Sequence, residues 1–416
     1  MEFTDLTKKT EKALLISVDT GNFDAEASIE ELTLLAESAG AVVEGKIIQK
    51  RPTPDTATYI GKGKLSEAEL FCHNMEIDLI ICDSELTPSQ IRNIENITDV
   101  RVIDRTQLIL DIFALRAKSR EGKLQVELAQ MKYALPRLTG KGIALSRLGG
   151  GIGTRGPGES KLESDRRHIM RRIKSLEEQL LEIEKRRTLL KNRRIKTGVT
   201  TVALVGYTNA GKSTLMNTLT SAGVLVEDKL FATLDPTSRK LILPNNQEVM
   251  LIDTVGFVSR LPHNLVESFK STLEEAATAN IILNVCDASD EKCTEHIEIT
   301  NNILKDLGCD GENIITVINK CDKATNIFDV LPFGKTVMIS ALTGENIPLL
   351  LKEIEKALCH KSIKLKMIIP YSDGGILNEI RNIGKIIDEK YIDDGTLITV
   401  IMPSQYGNKF LKYIIE

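Results

Sequence analysis

The segment 200-TTVALVGYTNAGKSTLMNTLT-220 constrains the fold of this chain more than any other. A short apolar β-run, VALV, leads into G-x-x-x-x-G-K-[ST] at Gly206, Gly211, Lys212 and Ser213, and STLMNTLT then opens a helix. That order, strand to glycine loop to helix, is what a phosphate-cradling loop requires, because backbone N–H groups must converge on an anion at a helix N-terminus. Here the N–H groups from Asn209, Ala210 and Gly211 through Ser213 to Thr214 fill that role. Lys212 is placed to reach the β- and γ-phosphates, and the Ser213 hydroxyl to ligate Mg²⁺. The chain must therefore contain a parallel α/β sheet. A second glycine run, 148-LGGGIGTRGPGES-160, spells G-x-G-x-x-G at Gly151, Gly153 and Gly156. It follows a helical segment, and Pro157-Gly158 interrupts its exit, so it lacks the context of a dinucleotide loop.

Base identity needs separate signals. The apolar strand of 314-IITVINKCD-322 ends in Asn319, Lys320 and Asp322. A carboxylate at Asp322 can accept from the guanine N1–H and its exocyclic amine, neither of which adenine presents. Asn319 is expected to brace the site and Lys320 to lay its stem over the base. In 337-VMISAL-342, Ser340, Ala341 and Leu342 offer a backbone N–H for the guanine O6. Successive parallel strands carry ligands at their carboxyl ends in this way. The strand of 250-MLIDTVGFV-258 ends in Asp253, suited to hold Mg²⁺ through water, followed by Thr254, Val255 and Gly256, whose N–H can meet the γ-phosphate. Upstream, 229-KLFATLDPT-237 supplies a closing loop through Phe231, Ala232, Thr233, Leu234 and Asp235, with Thr233 or Thr237 as the second hydroxyl on the metal. Lys212 and Gly256 are expected catalytic groups together with Thr233 or Thr237, and Ser213 and Asp253 are the expected metal ligands beside that same threonine. Where Ras-like GTPases often place a water-orienting glutamine, this chain has Phe257, which implies slow intrinsic hydrolysis completed by a partner, a bound ion or a rearranged loop, the alternative being another residue nearby that aligns the water unaided.

The 416 residues allow about two to four domains. Residues 1–104 alternate strand and helix patterns, the rhythm of an N-terminal α/β domain. Residues 105–196 read as a long antiparallel helical hairpin with a glycine-rich basic tip at 138–160, residues 197–360 as the P-loop domain, and residues 361–416 as a small C-terminal α+β domain that ends in a helix. The N-terminus lacks a signal-peptide core and no apolar run reaches a membrane span, which points to the cytoplasm. Seven scattered cysteines without C-x-x-C pairs read as reduced, mostly buried thiols, and five histidines show no ligand spacing. Net charge is −4, yet residues 101–200 hold 24 Lys/Arg against 11 Asp/Glu, leaving 30 against 47 elsewhere. A basic middle on an acidic chain suits a nucleic-acid-facing module, or a solvated charged helix. The tip, with Arg147, Gly149, Gly150, Gly151, Gly153, Arg155, Gly156 and Gly158, reads either as an RNA-ordered loop or as a linker.

Together, 55-DTATYIGKGK-64, 123-KLQVELAQMKYALPRL-138, 152-IGTRGPGESKLESDRR-167, GYTNAGKST, FATLDPT and DTVGFV resemble the HflX family of ribosome-associated GTPases, of the TRAFAC class, over at least residues 50–345. The resemblance places the switch threonine on Thr233 and makes Phe257 ordinary for the family. It implies GTP/GDP and Mg²⁺ as cofactors, and GTP-dependent binding to the 50S subunit. The N-terminal domain and hairpin would meet 23S rRNA, with the tip directed toward the peptidyl transferase centre. Splitting or rescue of stalled 70S ribosomes under stress follows from it, and some relatives protect ribosomes from antibiotics at that centre. A monomer is expected. The alternative from the residues is a GTP-gated adaptor that binds a protein partner through the long charged helix. A GTPase assisting RNA modification would need a catalytic cluster that the sequence does not offer.

Overall fold

The computed structural model describes residues 10–138, 161–196, 199–220, 231, 237–245, 247–254, 256–258, 260, 278–309, 311–323, 335–359, 362–403 and 408–415. The tip beyond Leu138, the loop positions Ala232 to Asp235, and Val255 lie outside them. Contacts divide the chain into two units. One comprises Met1–Glu184, Val226–Asp235 and Val255–Thr272, and the other Lys185–Leu225, Pro236–Thr254 and Leu273–Glu416.

The first unit begins with β1 (Lys12–Asp19), α1 (Ala25–Ala39), β2 (Val42–Lys50), α2 (Lys62–Met75), β3 (Leu79–Cys82), α3 (Pro88–Thr98) and β4 (Arg101–Asp104). The strands form a parallel sheet in the order β2-β1-β3-β4. Local sequence sets these elements. Asp24 caps α1 by accepting from the Ala27 N–H, and Gly40 ends it at φ 93°, a conformation that favours glycine. Thr87 and Gln90 close a reciprocal capping box on α3, with Pro88 at its start. Both faces of the central strands β1 and β3 are buried, so their residues do not alternate apolar and polar: β1 is apolar over residues 13–16 before a buried Ser17, and β3 is apolar throughout.

The pattern changes at Arg105 as the sequence predicts, but one helical run becomes two helices, α4 (Arg105–Arg116) and α5 (Arg120–Ala134). Ser119 caps α5 by accepting from the Gly122 N–H. The apolar face of α4 (Leu108, Ile109, Leu110, Ile112 and Phe113) lies in the core of the N-terminal sheet. The hairpin contact is made by α5 and the 36-residue α6 (Lys161–Lys196), where Leu124 and Leu128 pack on Leu176, flanked by Ile173, Leu180 and Ile183. Arg172 to Glu127 and Lys132 to Glu177 bridge the two helices.

In the second unit, β5 (Thr200–Gly206), α7 (Lys212–Thr220), β6 (Thr237–Ile242), β7 (Glu248–Asp253), β8 (Ile281–Asp287), α8 (Cys293–Asp306), β9 (Ile314–Asn319), β10 (Lys335–Met338) and α9 (Ile347–Cys359) build a six-stranded sheet, ordered β10-β9-β8-β5-β7-β6. Among the described strands of this sheet, only β6 runs antiparallel, at the edge beside β7. After it come β11 (Ser362–Ile369), α10 (Gly374–Ile383), β12 (Lys385–Ile392) and β13 (Gly395–Pro403), which give an antiparallel sheet ordered β11-β13-β12 around Met367, Ile380, Ile398, Val400 and Phe410. The expected final helix is a 3₁₀ segment, Asn408–Tyr413. Among the described residues, no helix is long and apolar enough to cross a membrane.

Candidate nucleotide site

In the second unit, expected site residues gather at the carboxyl ends of β5, β7 and β9, and Asp287 ends the neighbouring β8. Gly206 ends β5 at φ 143°, with its α-carbon against β8, where an added Cβ would stand 2.1 Å from the Val285 carbonyl oxygen. Asn209 turns the loop at φ 62°, a left-handed conformation that asparagine tolerates. Gly211 follows at φ 89°, and a Cβ there would meet Asn319 Nδ2 at 2.3 Å. Both glycines are therefore fixed by packing as well as by backbone conformation.

Lys212 is buried at the start of α7. Its ammonium donates to the carbonyls of Gly206 at 3.0 Å and Tyr207 at 2.7 Å. Burial pulls its pKa down to about 8, against the opposing pull of the Asp253 carboxylate. Ser213 Oγ donates to Asp253 Oδ2 at 3.0 Å, bringing two of the expected metal ligands together as hard oxygen donors. Thr254 turns inward and donates to the Leu204 carbonyl at 2.7 Å, which ties the end of β7 to β5. Thr208 Oγ1 is buried and makes no hydrogen bond among the described residues. A buried hydroxyl so placed in a phosphate loop supplies a further donor for an anion.

Asn319 is the hub. Its Nδ2 donates to the Ala210 carbonyl at 2.9 Å, and its Oδ1 accepts from the Ala341 N–H at 2.9 Å. One buried side chain thus fastens the phosphate loop to the segment of Ser340 and Ala341, both buried, while Leu342 is exposed. Lys320 stands at φ 62°, and its ammonium pairs with Asp287 Oδ2 at 2.6 Å. Asp322 is exposed two residues on.

Comparison with known proteins gives the family. Three family models match in sequence order: a GTP-binding GTPase N-terminal region over residues 26–114, a GTP-binding GTPase middle region over 116–194, and a 50S ribosome-binding GTPase over 201–320. A GTPase HflX of Caldanaerobacter subterraneus subsp. tengcongensis is 48% identical over 99% of this chain and 96% of its own. The chain belongs to the HflX family of GTPases. HflX of Lacrimispora saccharolytica is 46% identical over 97% of this chain and 96% of its own, and HflX of Escherichia coli 39% over 94% of each. A crystal structure of a GTP-binding protein from Sulfolobus solfataricus in complex with GDP is 27% identical, covering 84% of this chain and 98% of that one, with a TM-score of 0.46. GTP hydrolysis is the activity of this HflX chain.

Other expected site residues are grouped with the first unit. Phe231 is 2% exposed, in the core of the N-terminal sheet, where its ring meets Phe113 edge-on at a centroid distance of 4.7 Å. That side chain packs the sheet, so the nucleotide-binding role expected of it does not belong to its ring. Gly256 and Phe257 are buried, and Val258 joins the same core as Phe231. Arg260 donates to Asp83 Oδ2 at 2.9 Å, Ser28 Oγ at 3.1 Å and Ser84 Oγ at 3.0 Å, with its guanidinium over the Phe23 ring.

Three residues escaped the sequence reading. Asp287 holds Lys320, His296 stacks on Tyr207 at 3.8 Å with rings 9° from parallel, and Thr208 offers its hydroxyl. Asp287 was legible in principle, as an acidic residue closing the apolar run IILNVCD. The His296 stack had no sequence signal, because it joins α8 to a loop 89 positions earlier.

Proposed function

We propose that this HflX-family chain is a GTP-driven switch that binds the 50S ribosomal subunit and splits or rescues stalled 70S ribosomes under stress, in the cytoplasm, as a monomer. The observation that carries the reading is the conjunction of the P-loop hub at Asn319 with a family model described as a 50S ribosome-binding GTPase over residues 201–320. The basic stretch 101–200 supports an RNA partner, since phosphate contacts favour clustered Lys and Arg. We assign 23S rRNA contact to the tip around Arg147 and Arg155, including Gly149, Gly150, Gly151, Gly153, Gly156 and Gly158, and protection against antibiotics at the peptidyl transferase centre is a finer extension of the same reading. The four-part division at residues 104, 196 and 360 belongs to this proposal, with α4, Phe231 and Val258 lending their side chains to the core of the first part.

Lys212 holds the β- and γ-phosphates and stabilises charge as the γ-phosphoryl leaves. Asp322 selects guanine, Lys320 covers the base, and Asn319 keeps the two loops in register. Ser213 and Asp253, with Thr233, would hold Mg²⁺, which when bound neutralises developing charge on the phosphate oxygens. The Gly256 N–H meets the γ-phosphate. Phe257 carries no donor or acceptor with which to align water, which supports hydrolysis completed by the ribosome.

The test is GTP hydrolysis with and without purified 50S subunits, at low and moderate salt. Stimulation that fades with salt is the expected result. Absence of stimulation at both salts overturns the ribosomal assignment and favours an adaptor for a protein partner. Stimulation indifferent to salt shifts the contact from phosphates to an apolar face.

A further inference from the structure

Two thiols lie at the end of β8 and the start of α8, beside the contacts that Asp287 and Ala288 make with Lys320 and Asn319. Cys286 is next to last in β8 and Cys293 opens α8, and their Sγ atoms are 2.7 Å apart. Both residues are 2% exposed and share a small apolar cluster with Ile297. Cys286 Sγ also donates to the Cys293 carbonyl at 3.1 Å. The S–S bond length is about 2.04 Å, so joining the pair needs sub-ångström movement of the sulfur atoms.

The loop these thiols bracket is clamped to the base-reading segment. Asp287, directly after Cys286, pairs with Lys320 at 2.6 Å. The Ala288 N–H donates to the Asn319 carbonyl at 2.7 Å. The other carboxylate oxygen of Asp287 accepts from the Ser289 N–H at 2.9 Å and from its hydroxyl at 2.6 Å. From the other end, His296 lies one turn of α8 beyond Cys293 and stacks on Tyr207. The Tyr207 carbonyl in turn accepts from Lys212. The loop therefore touches the base side of the site, and the first turn of α8 that closes it touches the phosphate side.

We propose that Cys286 and Cys293 form an oxidisable dithiol whose internal disulfide fixes this loop and slows nucleotide release. The oxidant class is a peroxide. It converts one thiol to a sulfenic acid as its O–O bond breaks and one water leaves; the second thiol attacks that sulfur, the S–S bond forms, and the sulfenic oxygen leaves as a second water. Two electrons pass from the sulfur pair to the peroxide, and the thiol protons end in the two waters. The Cys286 thiol is held protonated by its hydrogen bond with Cys293 first and by burial second, so reaction waits on opening of the first turn of α8. The effect on release rests on the assignment of Lys320 and Asp322 to the base; the disulfide itself does not.

The experiment exposes the full-length protein to hydrogen peroxide, alkylates the remaining thiols, and digests with trypsin without reduction. Cleavage after Lys270, Lys292 and Lys305 puts Cys286 alone in one peptide and Cys293 alone in the next. The expected product is those two peptides joined, about 2 Da lighter than their sum. Release of a fluorescent GDP analogue is expected to be about two-fold slower or more, the off-rate being where affinity differences concentrate. Cys293→Ser, which keeps a hydroxyl for the Cys286 contact, is expected to release the analogue at one rate with or without peroxide. Separate, oxidised or alkylated peptides under conditions that fully consume the partly exposed Cys309 and Cys321 thiols overturn the dithiol. Joined peptides with unchanged release overturn its link to the site, as does a peroxide response that survives in Cys293→Ser. Failure of the base assignment is read separately, as unchanged GTP preference in Asp322→Asn.

Discussion

At the scale of single residues, Asn319 and Gly211 hold each other in place. An alanine at 211 puts a methyl 2.3 Å from Asn319 Nδ2 at a positive φ. Asn319 must then give up the Ala210 carbonyl, the Ala341 N–H or both. Gly211→Ala is expected to abolish measurable GTP binding and to cost about 1–3 kcal/mol of stability, the scale of an orphaned buried polar group; titration calorimetry and thermal denaturation read the two effects. The Lys212 ammonium gives a pH prediction. Its pKa of about 8 lies below that of the unfolded chain, so it is mostly neutral at pH 9, whereas bound phosphates favour its cation. GTP binding is therefore expected to take up close to one proton at pH 9 and almost none at pH 6, measured in buffers of different ionisation enthalpy. For stability the sign is opposite to that of a stabilised cation: the penalty of burying the charge is full below pH 8 and is relieved as pH rises from about 8 toward 10.5. The loop residues were legible because phosphate geometry dictates their spacing. The Lys320–Asp287 pair was not, because a contact between the ends of adjacent parallel strands leaves no periodic mark.

At the scale of elements, sequence period located the strands and helices of the N-terminal sheet and, in the second sheet, β5, α7, β7, β9 and β10, because each must bury an apolar stripe or run; β6, α8 and α9 were not read. It failed where a helix changes neighbours. Residues 105–134 keep a helical pattern throughout, yet α4 serves the sheet core and α5 serves α6, and only the Ser119 cap marks the exchange. The α5–α6 contact is narrow, with Leu176 fully buried between Leu124 and Leu128. Leu176→Ala is expected to cost about 2–5 kcal/mol locally and to speed amide exchange along α5, with exchange in the P-loop sheet unchanged. Hydrogen-exchange mass spectrometry of the two segments decides it.

For the whole molecule, composition concealed the division of labour: a net charge of −4 hides a basic middle. Deletion of residues 149–158 is expected to spare basal GTP hydrolysis and to remove its stimulation by ribosomes. Retained stimulation in steady-state assays assigns the productive contact elsewhere.

The first unit is not contiguous along the chain, since its core holds Phe231 and Val258 alongside Phe113. During synthesis the sheet of β1 to β4 leaves the exit tunnel well before either of those side chains is made. Until then Phe113 faces a gap in the place of its aromatic partner, an exposed apolar surface of the kind that invites misassembly. A chain cut short after α6 would carry that gap permanently. The N-terminal sheet therefore matures late, on the schedule of the GTPase sequence that follows it.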